Sequence, residues 1–196
     1  MKIIGITGGT GAGKTTALAV LEEMGAAVID CDALYYQLLE ENSRLLGEIE
    51  ARFPGVVENG HLLRKKLGQQ VFSDPKARAD LNAITHPYVL SAMDKILAQA
   101  EKTGKKLAAV DAIALIESGY GKKCDLIFGV VAPEKLRAQR IMTRDGIGED
   151  YALIRIRAQQ QEDFYRENCH RLLVNDFEDE AGFAAYCRRK FRELEE

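Results

Sequence analysis

Eight consecutive residues carry the clearest chemistry in this chain. Gly8-Gly9-Thr10-Gly11-Ala12-Gly13-Lys14-Thr15 satisfies G-x-x-x-x-G-K-[ST], and it stands directly after an apolar run and at the mouth of a stretch with helical periodicity. Glycines let the backbone curl until successive N–H groups point inward, and the following helix N-terminus adds partial positive charge where phosphate oxygens would sit. Gly9, Gly11, Ala12 and Gly13 then form the cradle of a phosphate-binding loop (P-loop). Lys14 brings a full charge to the β and γ phosphates, the Thr15 hydroxyl is a ligand for a magnesium ion bridging them, and Thr16 is placed to touch the α phosphate. The alternative is a glycine-rich turn that binds nothing, and its placement between strand and helix argues against it. The loop therefore predicts a nucleoside triphosphate with Mg²⁺, and leaves open where the phosphoryl group goes.

Three further clusters bear on the acceptor. Ile29-Asp30-Cys31-Asp32 puts two carboxylates at the C-terminal end of a short apolar run, and in an open parallel sheet ligands bind at that edge. Asp32 is the candidate to orient a hydroxyl nucleophile or take its proton; the other reading is that Asp30 and Asp32 only cap the next helix. Asp111 ends another apolar run, the position of a Walker-B carboxylate that steadies the magnesium shell, and Glu117, six residues on, is a candidate to join it. Strand-end carboxylates are also common as solvated turn residues. Arg137, Arg140 and Arg144 fall at i, i+3 and i+7, on one helical face. Such a face is either a solvated stripe or part of a lid that closes over the triphosphate, excludes water and sets guanidinium groups against the transferring phosphoryl.

These residues need elements to position them. Short β-branched runs alternate with longer helical stretches, which predicts an α/β protein with a parallel sheet. Five strands are expected: Lys2 to Ile6, Ala27 to Ile29, Leu107 to Val110, Leu126 to Val131 and Leu172 to Val174. They read as continuously apolar, as strands covered by helices on both faces do, so the expected architecture is a three-layer sandwich. The first helix should run from near Gly13 to Met24, with Gly25 as a left-handed cap. Between the second and third strands lie about 75 residues with helical windows at Asp32 to Ile49 and Pro75 to Ile84, too long for an ordinary crossover. That segment, 32–106, is read as a helical substrate-binding insertion within a single domain spanning 1–196. A helix from about Pro133 to Thr143 and the turn Asp145-Gly146-Ile147-Gly148 make up a small lid, 134–150.

Composition narrows the function classes. The chain has 196 residues, 27 Lys and Arg against 30 Asp and Glu, and 46% hydrophobic residues. That is the composition of one soluble globular body, which at this size buries roughly 70% of its unfolded surface and needs no metal or disulfide for a core. Four dispersed cysteines, Cys31, Cys124, Cys169 and Cys187, offer no C-x2-C pair, so a structural zinc site is not expected. The charge balance lacks the basic excess of nucleic-acid binders, and no run approaches the ~20 apolar residues of a membrane span. The expected setting is the cytoplasm, with no nucleic-acid or membrane partner.

The chain resembles the dephospho-CoA kinase family nearly from end to end. The resemblance lies in Gly5-Ile6-Thr7-Gly8-Gly9 with its P-loop, in Val28-Ile29-Asp30-Cys31-Asp32, in Gly60-His61-Leu62-Leu63-Arg64-Lys65-Lys66-Leu67 followed by Val71-Phe72, and in Leu81-Asn82-Ala83-Ile84-Thr85-His86-Pro87. It continues through Arg140-Ile141-Met142-Thr143-Arg144-Asp145-Gly146 and through Gln159 and Asn175, 16 residues apart. The resemblance implies a P-loop NTPase fold and ATP-dependent phosphorylation of the ribose 3′-hydroxyl of dephospho-coenzyme A, the last step of coenzyme A synthesis. It further implies that Asp32 acts at the 3′-hydroxyl, that Arg64 and His86 line the coenzyme side, that Arg140 reaches the phosphoryl from the lid beside Arg144, and that Asn175 sits near the adenine of ATP. Taken alone, Arg64 reads equally as a surface helix residue and His86 as the end of a helix before Pro87. The chain departs from the family pattern at Asp111-Ala112-Ile113-Ala114-Leu115-Ile116-Glu117, where a proline and an aromatic are usual, at Cys169-His170, and at Asp176.

The nearest rival is another small-metabolite kinase or a nucleoside monophosphate kinase. An acceptor that is itself a phosphate needs a basic clamp, whereas a hydroxyl acceptor needs a carboxylate, and Asp32 favours the hydroxyl. A GTPase switch would want N-K-x-D, and no such string occurs. Monomer and small homo-oligomer stay equally open.

Overall fold

A computed structural model of the chain describes residues 1–72, 74–112 and 114–193. Residue Ile113, one of the departures from the family pattern, lies outside them. The chain divides into two compact units, Met1–Ile29 with Ala100–Glu196, and Asp30–Gln99.

The first unit is built on a five-stranded parallel sheet in the order β2-β5-β1-β6-β7. Its strands are β1 (Lys2–Gly8), β2 (Ala27–Asp30), β5 (Leu107–Asp111), β6 (Leu126–Val131) and β7 (Arg171–Val174). All five expected strands form, each within two residues of its predicted ends. The central strand β1 runs parallel to β5 on one side, with Ile6 opposite Asp111, and to β6 on the other, with Gly8 opposite Val130. Residues 4–8 of β1 are all buried, which is why this strand is apolar without alternation. Helix α1 (Lys14–Glu23) buries Ala17, Leu18, Val20 and Leu21 and is closed by Gly25 at φ 93°. Those side chains share a core with Ile4, Ile6, Phe128, Leu173 and with Phe183, Cys187 and Phe191 of α9 (Glu180–Arg192). Phe128 and Phe191 meet edge to face at 5.2 Å. A second, smaller cluster joins α6 (Glu134–Asp145) to α7 (Glu149–Arg157) through Ala138, Ile141, Ala152 and Ile156. A short helix, α8 (Glu162–Asn168), leads from there into β7.

The second unit has its own core of Leu39, Leu45, Ile49, Phe53, Val56, Leu67, Ala77 and Leu81. The window expected as one helix from Asp32 to Ile49 is two, α2 (Cys31–Glu41) and α3 (Ser43–Arg52), because Asn42 takes an extended conformation and its side chain accepts from Leu45 N at 3.0 Å, capping α3. A two-stranded ribbon, β3 (Val57–Glu58) with β4 (His61–Leu62), was not expected. Its signal is Asn59-Gly60, both at positive φ (51° and 78°), the pair that a tight hairpin turn prefers. After α4 (Arg64–Val71), the second helical window extends well past Ile84: α5 runs from Pro75 to Lys102 with Pro87 inside it. His86 therefore does not end a helix. Among the described residues, no helix is long and apolar enough to cross a membrane.

Candidate active site

Strand β1 ends at Gly8, and the backbone turns through Gly8, Gly11 and Gly13 at φ 148°, 74° and 109° before α1 begins at Lys14. Two of these positions admit no side chain. A Cβ on Gly8 would overlap the Val130 carbonyl, and one on Gly13 would overlap Asn175 Nδ2. The loop's carbonyls are held from outside: Lys14 Nζ donates to Gly8 O at 2.9 Å, Arg137 Nε to Thr10 O at 2.9 Å, Arg140 Nη1 to Gly11 O at 3.2 Å and Asn175 Nδ2 to Ala12 O at 2.8 Å. In a trans peptide the N–H points opposite to its C=O. Fixing the Thr10 and Ala12 carbonyls on Arg137 and Asn175 thus turns the amides of Gly11 and Gly13 away from those two side chains, the arrangement an anion cradle needs.

Arg137, Arg140 and Arg144 do share a face of α6, and that face lies on the P-loop. Arg137 is only 8% exposed, so a solvated stripe is excluded; burial lowers its pKa, as it does that of Arg140. Arg140 Nη2 also donates to Asn175 Oδ1 at 3.2 Å and Phe177 O at 2.9 Å, joining α6 to the segment after β7. Arg144 Nη2 lies 3.5 Å from Thr10 Oγ1 while its guanidinium grips Asp145 at 2.6 and 3.0 Å. Two cations, Arg144 and Arg155, hold the Asp145 carboxyl far below the usual carboxylate range. Asn175 is 3% exposed and both ends of its amide are engaged, by Ala12 O and Arg140.

The sequence did not assign Arg137 its partner, nor Gln159 a role. Gln159 Oε1 accepts from Thr10 N at 2.7 Å and from Arg137 Nη2 at 3.3 Å. These links span 149 and 22 residues, which no local pattern displays. The only sequence signals were the shared helical face and the Gln159 to Asn175 spacing.

Asp111 is half-buried at the C-terminal end of β5, level with Ile6 on the strand that feeds the loop. Thr15 is exposed in the first turn of α1. Both are hard oxygen donors, and among the described residues no cluster of three or more His, Cys, Asp and Glu is arranged to hold a metal ion. That donor set fits magnesium, which takes one or two protein oxygens together with phosphates and waters, and does not fit a dedicated cage. Glu117 is exposed; burial first, and the charge of Glu117 after it, raise the pKa of Tyr165 to about 12 and of Cys169 to about 11. Thr16 Oγ1 donates to Glu180 Oε1 at 3.0 Å. A hydroxyl has one proton to give, so Thr16 must release Glu180 before donating to a phosphate.

In the Asp30–Gln99 unit the two carboxylates separate in role. Asp30 is the N-cap of α2, its side chain accepting from Ala33 N at 2.8 Å. Asp32 lies in the first turn, exposed, and is not the cap. Arg64 opens α4, pairs with Glu40 Oε1 at 2.7 Å and lies 4.9 Å over the Tyr36 ring, beside a cavity of 320 Å³ also lined by Tyr35 and Leu67. His86 is half-buried within α5, and burial lowers its pKa.

A family model described as dephospho-CoA kinase matches residues 2–180. A dephospho-CoA kinase from Paramagnetospirillum magneticum is 40% identical over 147 residues, 75% of this chain and 69% of its own length. Among solved structures, a Thermus thermophilus protein superposes with a TM-score of 0.82 at 32% identity, covering 99% of this chain and 97% of its own. A dephospho-CoA kinase from Campylobacter jejuni, at 24% identity, shares the fold with a TM-score of 0.71 over 99% and 98% of the two chains. With a match reaching through the P-loop, the arginine helix and the segment after β7, the chain belongs to the dephospho-CoA kinase family.

Proposed function

We propose that this chain transfers the γ-phosphoryl group of ATP to the ribose 3′-hydroxyl of dephospho-coenzyme A, giving coenzyme A. The observation that supports the reading is the P-loop itself: at the end of the central strand it curls through three glycines at positive φ, and its carbonyls are taken up by Lys14, Arg137, Arg140 and Asn175, which leaves its amides for an anion. In such a cradle catalysis is positioning and charge stabilisation. Gly9, Gly11, Ala12, Gly13 and Thr16 hold the phosphate chain. Lys14, which has three donors and uses one on Gly8 O, supports the β and γ phosphates. Arg140 and Arg144 set positive charge beside the loop, against the negative charge that shifts onto the leaving oxygen as the terminal bond loosens, and Asn175 borders the adenine end.

Thr15 and Asp111 would hold a magnesium ion, which when bound would offset the negative charge of the phosphate chain. Asp32 is the carboxylate for a hydroxyl acceptor: it accepts the 3′-hydroxyl proton or orients it, and the capping duty that competed for it falls to Asp30. Arg64 and His86, on the second unit, bind the coenzyme, with Asp111 and Glu117 on the acceptor side of the sheet edge. The segment 32–106 is the substrate-binding insertion and 134–150 the lid of one kinase domain. We place the enzyme in the cytoplasm, as a monomer or small homo-oligomer.

A coupled ADP-release assay offering dephospho-coenzyme A, AMP, dCMP and shikimate in turn tests the reading. ADP release that depends on dephospho-coenzyme A supports it, and a preference for any of the other three overturns it.

A further inference from the structure

The tip of the P-loop has no backbone preference of its own. Thr10 stands between Gly9 and Gly11, so the peptides on either side can rotate at little cost. Beyond the turn bond within the loop, from Ala12 N to Gly9 O at 3.2 Å, the tip is held by a closed ring of three hydrogen bonds. Thr10 N–H donates to Gln159 Oε1 at 2.7 Å, Thr10 O accepts from Arg137 Nε at 2.9 Å, and Arg137 Nη2 donates to the same Gln159 oxygen at 3.3 Å. Both groups facing Gln159 are donors, which settles that its oxygen, not its NH₂, points at them. Gly9 leaves room for this: a Cβ there would overlap the Arg137 guanidinium.

The two side chains come from opposite ends of one helical hairpin. Arg137 is in the first half of α6 and Gln159 lies two residues past the end of α7, and the two helices are joined by their own apolar cluster. The hairpin therefore grips the P-loop tip at both of its ends, while the turn 146–148 between the helices is the part farthest along the chain from either grip.

We propose that Gln159 is a positioning residue for the nucleotide: it locks the Thr10 peptide and the Arg137 guanidinium into one arrangement, so that the base of the α6–α7 hairpin and the P-loop tip move as a single piece. This rests on the reading that the loop binds ATP. Without Gln159 the Thr10 amide is released and the Arg137 guanidinium loses one of its anchors, so the Thr10 carbonyl that it still grips is held less firmly and the Gly11 amide of the same peptide is aimed at phosphate only part of the time.

Kinetics of Q159L and Q159E, read beside hydrogen exchange, test it. Leucine keeps the volume and removes the acceptor; glutamate keeps an acceptor oxygen for both donors. Q159L should lower kcat/KM for ATP by about 30-fold, the loss expected when one backbone donor and one charged donor lose their shared acceptor. Its KM for dephospho-coenzyme A should stay near wild type, its Tm should fall by no more than a few degrees, the cost of two released donors, and the Thr10 amide, protected in the wild type, should exchange freely. Q159E should recover to within about fivefold of wild type. The proposal is overturned if Q159L keeps kcat/KM for ATP within about threefold, if Q159E is no better than Q159L, or if both substrates' constants and Tm fall together. Should Q159L not fold, Q159A carries the same expectations. Calorimetry with a non-hydrolysable ATP analogue and Mg²⁺ reads the same weakening without any acceptor, so failure of this proposal is distinguishable from failure of the acceptor assignment.

Discussion

At the scale of single residues, neighbours two apart in the sequence take different work. Asp30 ends β2 and Asp32 lies two residues on, and a pattern of residue types could not divide them; the hydrogen bond from Ala33 N to Asp30 does. Asp30→Ala should cost about 1 kcal/mol of stability, measured by urea unfolding, with kcat little changed. Asp32→Asn should do the reverse: kcat falls by about 100-fold while ATP affinity and the unfolding midpoint hold. A variant pair with those effects exchanged would assign the carboxylates wrongly. Lys14 and the loop glycines were legible because their chemistry is local, eight residues in a fixed spacing. The grip on the loop was not. Arg137 reaches Thr10 across 127 residues and Asn175 reaches Ala12 across 163, and only the folded chain brings such pairs together.

At the scale of elements, β1 and α1 exist to present the turn between them. Gly13 is where that turn becomes a helix, at φ 109° and with Asn175 against the space a Cβ would take. Gly13→Ala therefore meets both a disfavoured backbone region and a clash with a buried side chain that holds Ala12 O. It should abolish measurable nucleotide binding in calorimetry at concentrations that saturate the wild type; a Kd within a few-fold of wild type would contradict the geometry drawn for the loop. β1, β5 and β6 were readable as apolar runs because burial on both faces removes alternation, whereas the edge strands β2 and β7 are apolar in sequence yet leave Val28 and Val174 exposed. The second unit was harder. Its helical windows were visible, yet Asn42 splits one of them by capping, and Pro87 fails to end the other. The ribbon around Asn59-Gly60 is two residues long on each side, too short for any periodicity.

At the scale of the whole molecule, the buried thiols set a limit at alkaline pH. Burial pushes Cys124 and Cys187 up to about 12 and Cys169 to about 11, against about 8.5 in an unfolded chain. Their folded pKa is raised, so the stabilisation is fully present below about pH 8.5 and is lost as pH rises toward 11 to 12, because the unfolded chain ionises first. Thermal unfolding should show Tm falling above pH 9, and Cys187→Ala should flatten that slope; an unchanged slope would mean that Cys187 titrates alike in both states. The sheet unit and the helical unit each have an apolar core of their own; in the sequence the second unit is a long stretch of helical windows, in which its two-residue ribbon strands left no trace.

The acceptor is the point on which the functional account turns, and the structure of its product reads it directly. Incubated with ATP, Mg²⁺ and dephospho-coenzyme A, the chain should yield ADP and a product whose new phosphorus signal couples, in a ³¹P–¹H spectrum, to the ribose H3′. A phosphate coupled to H2′ or carried on the existing diphosphate, or ATP consumed with dephospho-coenzyme A recovered intact, would contradict the account.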